Sequence, residues 1–238
     1  MNVLAIGAHP DDIEILCGGT LALYAEEGHS IFTAVATDGS VGTPDLTKAE
    51  ISAIRRQEQE ASAALLGATL IWMGFEDEWL FNDRPTRTAF LDAIRQADPD
   101  IMFVHSPNDY IADHRVASQI ATDCRIPASV RLVETALPAC SKIPHVFFMD
   151  NVAGIDFSPE HYVDISSVLP RKAEMLACHK SQEIWMQQAY GESLSGIMLR
   201  NARHRGLAIN AEAAEAFRSL RTYPVTRGGD DLLPGRAR

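Results

Sequence analysis

The chain has 238 residues, 46% of them hydrophobic and 22% charged, with a formal net charge of −11. That length fits one sizeable α/β domain, and the composition is that of an ordinary soluble globule. The acidic total argues against a nucleic-acid groove, which needs a basic patch, but not against a small anion bound by local arginines. No apolar stretch is long enough to span a bilayer. The chain opens on a short apolar strand rather than a basic, cleavable leader, so a cytoplasmic protein is expected. Cys17, Cys124, Cys140 and Cys178 are scattered with no CxxC pair, so reduced thiols are expected.

Val3 to Ala8 is almost continuously apolar and reads as a strand buried on both faces. Pro10 cannot donate to a ladder and ends it. His9, Asp11 and Asp12 therefore fall just past the carboxyl end, the edge where ligands bind in open parallel sheets. Alone, the same turn also reads as a helix start capped by Asp12. Gly18 to Glu27 predicts a short helix closed by Gly28. Ile31 to Ala36 predicts a second strand, followed by a loop rich in Gly, Ser, Pro and Thr. Lys48 to Leu66 is a strong helix stopped by Gly67. Thr69 to Met73 is a third strand, Arg87 to Gln96 a helix, Asp100 to His105 a fourth strand, and Asp113 to Cys124 a helix with Asp113 as its N-cap.

This alternation predicts a mostly parallel sheet with right-handed crossovers and helices on both faces, a Rossmann-like three-layer α/β/α domain. After about residue 125 the rhythm weakens. His145 to Met149 and His161 to Ile165 are candidate strands. Val168 to Tyr190 carries one long helical pattern and Ala211 to Leu220 another. The expected organisation is one domain over residues 1–226, with the core at about 1–125, a smaller C-terminal extension at about 126–226, and a flexible tail at 227–238.

A second polar cluster, His105 to Arg115, again follows a strand. Two strand ends thus offer His9, Asp12 and His114 to a common point. Two imidazoles and a carboxylate, with a position left for water, make up a catalytic zinc site. No four-cysteine or Cys2His2 pattern points to a structural zinc instead. Taken singly, His114 reads as a surface residue at a helix start; the conjunction with His9 and Asp12 favours the metal.

These residues resemble the LmbE-like, PIG-L-type N-acetylglucosaminyl deacetylases, a family of zinc-dependent amide hydrolases. The signature segment reads Ala8-His9-Pro10-Asp11-Asp12-Ile13-Glu14, with Cys17-Gly18-Gly19 behind it. Further matches are Thr37-Asp38-Gly39, Arg55 and Glu58 on the helix closing at Leu66-Gly67, Gly74 to Asp77, and Asp113-His114. Downstream, His179-Lys180-Ser181-Gln182 and Ala214-Glu215-Ala216-Phe217 follow in the family's order, so the likeness runs from residue 3 to about 217.

The resemblance implies one zinc ion per chain on His9, Asp12 and His114, with Asp11 as general base. It makes His179 the candidate acid for the leaving amine; the bland alternative is a surface histidine held by Ser181 and Gln182. It places Arg55 and Asp77 where relatives contact sugar hydroxyls, although Arg55 also reads as an i,i+3 partner of Glu58 and Asp77 as part of an exposed acidic loop. Trp79 and Phe81 read as core residues or as a surface that stacks on a sugar. In one departure, the family's His-Pro-Asp-His stands here as Ile111-Ala112-Asp113-His114. The first histidine, an oxyanion stabiliser, is missing, with His105 or Tyr110 as candidate replacements.

The implied reaction is hydrolysis of an N-acetyl group from an acetamido sugar or conjugate. Zinc lowers the pKa of water to about 7 and polarises the carbonyl, and Asp11 takes the proton. The expected partner is that small molecule; no nucleic acid and no membrane span are expected, and homo-oligomerisation is left open. The competing reading is a non-catalytic metal- or sugar-binding protein on the same scaffold, which has no need of Asp11. A nucleotide-binding Rossmann protein fails on the missing GxGxxG after the first strand.

Overall fold

The protein is represented by a computed structural model that describes residues 1–223 and 232–234. Strand β1 (Asn2–Gly7) pairs in parallel with β2 (Ser30–Thr37) on one side and β4 (Ile101–Val104) on the other. β3 (Thr69–Phe75) extends the first side and β5 (His145–Met149) the second, both in parallel. β7 (Ala214–Ser219) then runs antiparallel to β5 and to the edge strand β6 (His161–Asp164). The order is β3-β2-β1-β4-β5-β7-β6 in one seven-stranded sheet.

Side chains alternate across each strand, and β1 shows the consequence. Val3 and Ala5 face one core, with Leu21 and Tyr24 of α2 (Gly18–Glu26) and Leu176 of α6 (Leu169–Leu176). Leu4 and Ile6 face the other, with Phe90 and Ile94 of α4 (Arg84–Ala97) and Ile120 of α5 (Ala112–Cys124). Burial on both faces explains the unbroken apolar run. The expected mostly parallel α/β architecture is what the chain adopts. Among the described residues no helix is long and apolar enough to cross a membrane.

The C-terminal half differs from the sequence reading. Ala214–Ser219, read as part of a helix, is strand β7. Ala and Glu favour helix, but the unpaired edges of β5 and β6 are both satisfied by this segment, and tertiary pairing overrides propensity. Val168 to Tyr190 is not one helix: α6 ends at Leu176 and α7 (Lys180–Tyr190) begins after His179, whose φ of −83° and ψ of 58° break the spiral. Helix α8 (Leu194–Leu207) was not anticipated; two glycines and a polar Arg-Asn-Ala-Arg-His-Arg run obscure its apolar stripe. Trp79 and Phe81 are each 59% exposed, so neither is a core residue. Of the expected tail, only 232–234 is described. Leu233 is buried there and Tyr24 donates to the Leu232 carbonyl at 2.8 Å; the rest of 227–238 lies outside the described residues.

Glu215 ties the two halves together. Its carboxylate accepts from the N–H groups of Gly19 and Thr20 at 2.8 and 2.7 Å, capping α2 from across the fold, and pairs with the fully buried Lys172. Gly19 is required because a Cβ there would stand 2.8 Å from Ile165. Glu215→Ala strands a buried ammonium and two helix-terminal donors. A loss of about 3–5 kcal/mol is expected, measured as a lowered denaturant midpoint at unchanged slope. A shift under about 1 kcal/mol contradicts the tie.

Candidate active site

The strand order reverses between β1 and β4, and a cleft opens there beyond their carboxyl ends, as in other doubly wound sheets. Its volume is about 740 Å³. Its polar lining includes His9, Asp11, Asp12, Arg55, Asp77 and His114, and its lining also includes Val41, Tyr110, Ile111, Val152, Trp185, Met186, Tyr190 and Leu194.

Three sequence-predicted ligands meet there. His9 Nδ1 and His114 Nε2 lie 3.2 Å apart, His114 Nε2 and Asp12 Oδ1 3.2 Å, and His9 Nδ1 and Asp12 Oδ2 3.6 Å. Zinc bonds of about 2.0–2.2 Å imply tetrahedral donor edges of about 3.3–3.6 Å; the separations are close to that, the two to Asp12 being to different oxygens, and one donor atom from each residue lies within 4.8 Å of the other two. The outer partners fit as well. His114 Nδ1 faces Asp109 Oδ2 at 3.0 Å, and His9 Nε2 faces Asp77 Oδ1 at 3.2 Å and Asp113 Oδ2 at 3.4 Å. Donating those ring protons leaves the lone pairs of both histidines turned toward the Asp12 carboxylate and each other. Three electron-rich atoms meeting in a buried site call for positive charge between them. The imidazole pKa values register the same demand. Burial opposes the charged form of His114, yet Asp12 and Asp109 outweigh it and raise it to about 9. Burial likewise opposes charge on His9, and Asp113, Asp12 and Asp77 raise it well above its ordinary value.

Asp11 stands in the cleft but outside this donor set. β1 ends at Gly7, before Pro10 is reached, and Asp11, at the start of α1 (Asp12–Leu16), takes φ 111° and ψ −25°, a conformation non-glycine residues avoid at a cost of about 1–3 kcal/mol. Burial, opposed by the Arg55 guanidinium and reinforced by Asp12, moves its pKa up to about 6. Helix α3 (Lys48–Leu66) supports it. Its buried stripe contains Arg55, Gln59 and Ser62 where apolar residues would be usual. Arg55 donates to the Pro10 and Gly39 carbonyls and to Asp11 Oδ2, the last at 3.2 Å. Gly39 is needed beneath it, with φ 64° and room for no Cβ.

The other expectations fare as follows. Arg55 does not pair with Glu58, which instead accepts from Ser181 N and Oγ at 2.8 and 2.6 Å. Asp77 is buried, not part of an exposed loop; it holds His9 and accepts from Val41 N at 3.1 Å. Asp113 is not an N-cap, since Ile111 holds that position. Its carboxylate accepts from Glu78 N and Leu80 N and so ties the loop after β3 to α5. His179 is completely buried, with Nε2 3.5 Å from Glu14 Oε2, rather than a surface histidine held by Ser181 and Gln182. Gln182 reaches the Gly42 carbonyl and lines the cleft. His105 is also fully buried, stacked at 3.9 Å on the His114 ring with Nε2 3.1 Å from Asp12 Oδ2, so it has no face toward a substrate. Tyr110 does line the cleft.

Sequence reasoning overlooked Asp109, Glu14 and Gln59 as working residues. The available signals were an aspartate five residues before His114, a glutamate inside the first motif, and polar residues in the buried phase of α3.

The sequence profile of the PIG-L family, described as GlcNAc-PI de-N-acetylase, matches residues 4–125. A 4-oxalmesaconate hydratase of Pseudomonas putida is 27% identical over 194 residues, covering 77% of this chain and 75% of its own. A diacetylchitobiose deacetylase of Thermococcus kodakarensis is 28% identical over 205 residues, 77% of this chain and 72% of its own. The solved structure of N,N'-diacetylchitobiose deacetylase from Pyrococcus horikoshii is similar with a TM-score of 0.80 at 26% identity, covering 94% of this chain and 87% of that one.

Proposed function

The chain belongs to the PIG-L family, and on that premise we propose that it is a metal-dependent hydrolase that removes the N-acetyl group of an acetamido sugar or sugar conjugate. One observation carries the reading: a His9, Asp12 and His114 donor set with its atoms within 4.8 Å of one another, and a second carboxylate, Asp11, in the same cleft and outside the set. A binding protein needs the donors but not Asp11.

His9, Asp12 and His114 would hold a divalent ion, zinc by the preference of two imidazoles and a carboxylate, which would supply Lewis acidity to lower the pKa of water and polarise a carbonyl. Asp11 accepts the proton of the water that attacks the amide carbon; a pKa of about 6 keeps it ionised at neutral pH. The same carboxyl returns that proton to the departing nitrogen. This replaces the expected acid role of His179, which has no surface in the cleft. His179 instead favours the ionised form of Asp11 electrostatically from behind. Tyr110, on the cleft wall, is the hydroxyl donor nearest in sequence to Ile111 and takes the oxyanion role of the missing histidine.

The cleft's charge bears on the substrate. Asp11, Asp12, Asp77 and Glu78 line it, and Arg55, the one arginine or lysine among the described residues lining it, is committed to two carbonyls and Asp11. Such a surface favours a neutral amide that leaves as an ammonium over an anion such as an oxalmesaconate. The test is a panel of acetamido sugars, nucleotide sugars and aminoglycoside-like conjugates, scored by acetate release with and without added zinc, with hydration of an oxalmesaconate run beside it. Acetate release from an acetamido sugar is expected. No reaction by metal-loaded protein favours the binding reading; a preferred non-sugar amide or ester leaves the hydrolase and removes the sugar; dominant hydration overturns both.

A further inference from the structure

We infer that Gln59 is a positioning residue for Asp11, holding the backbone turn that aims its carboxylate; the inference rests on Asp11 being the base of the proposed hydrolysis. Gln59 is fully buried and does not itself line the cleft. Its Nε2 donates to Glu14 Oε1 at 2.8 Å, and its Oε1 accepts the Asp11 N–H at 3.3 Å. The amide has no freedom to turn over. An ionised carboxylate only accepts, so the NH₂ must face Glu14 and the oxygen must face Asp11. Glu14 is itself fixed on Ser62 Oγ at 2.6 Å.

The consequence lies in which atoms are gripped. The Pro10 carbonyl and the Asp11 N–H are the two polar atoms of one peptide unit. Arg55 donates to the first, and Gln59, one turn further along α3, accepts from the second. A peptide plane held at both edges cannot rotate about the following N–Cα bond, and that rotation is the φ of 111° at Asp11. Released, the residue relaxes toward an ordinary φ and its carboxylate leaves its place beside Asp12. Arg55 also bonds the Asp11 side chain, so Gln59 is the cleaner probe of the backbone grip.

The experiment compares the metal-loaded parent with Gln59→Met, which keeps length and removes both hydrogen bonds. A second variant is the charge-neutral exchange Glu14→Gln with Gln59→Glu, which again presents an oxygen to the Asp11 N–H. Steady-state kinetics, metal content and NMR hydrogen exchange of the Asp11 amide are read on each. In Gln59→Met, kcat is expected to fall on the order of 10²-fold, the scale of an ångström-size misplacement. KM and metal content stay at the parent's values, and the Asp11 amide exchanges at least about tenfold faster as its protection is lost. The exchanged pair recovers most of kcat and of the protection. Unchanged kcat, unchanged exchange in Gln59→Met, or a loss that tracks metal content overturns the inference. If the parent itself releases no acetate, the hydrolase reading falls, and amide exchange alone decides whether Gln59 holds Asp11.

Discussion

Asp11→Asn is expected to bind one equivalent of divalent metal as the parent does while kcat falls about 10²–10⁴-fold, the usual loss when a general base is removed. The proposed donors are His9, Asp12 and His114, and Asp11 belongs to none of the residue groups placed to hold a metal among the described residues. The substitution is also gentle on the fold. Asparagine has the same shape, keeps an oxygen for the Arg55 Nη2 that now lies 3.2 Å from Asp11 Oδ2, and tolerates positive φ better than most residues. What it lacks is basicity. Elemental analysis and acetate-release kinetics on the same preparation check the pairing. Lost metal means that the roles of Asp11 and Asp12 are exchanged. Unchanged turnover means that another group takes the proton.

The first motif was legible because two independent constraints coincide in it. A strand buried on both faces must be apolar throughout, so His9 and the residues beyond Pro10 stand out against it. The parallel half of the sheet was legible for the same reason, with strand ends displaced by a residue or two. The antiparallel end was not. Ala214 to Ser219 carries Ala, Glu and Arg, all good helix formers, and only the neighbouring edges of β5 and β6 make it a strand. Within the site, residue types were legible and their partners were not. Arg55 and Asp77 were marked as substrate contacts, yet most of their polar atoms are spent on Asp11, His9 and nearby backbone. A sequence shows that a charged residue sits on a helix, but not that its helix face is turned inward. For α3 the buried phase is set by Ile51 and Ala63, and Arg55, Gln59 and Ser62 fall in it.

That inward polar layer also sets the terms of the metal prediction. His114→Ala removes a donor atom, while Asp109→Asn removes only the carboxylate that fixes the His114 ring through Nδ1 at 3.0 Å. Loss of an outer partner typically costs about 10–100-fold in metal affinity, so Asp109→Asn is expected in that range and His114→Ala well beyond it. The order matters more than either value. His105 also faces Asp12, at 3.1 Å, and a metal held on His105, Asp109 and His114 is one geometric alternative beside His9, Asp77 and Asp113. In the first of these Asp109 is itself a ligand, and the two variants lose affinity alike, whereas His9→Ala leaves it nearly intact. With His9, Asp12 and His114 as ligands, His9→Ala falls with His114→Ala and Asp109→Asn stands apart. Competition of each variant against a chromophoric zinc chelator, at one pH and salt concentration, gives the ranking. Equal affinities for parent and His114→Ala remove the metal centre from both arrangements that include His114.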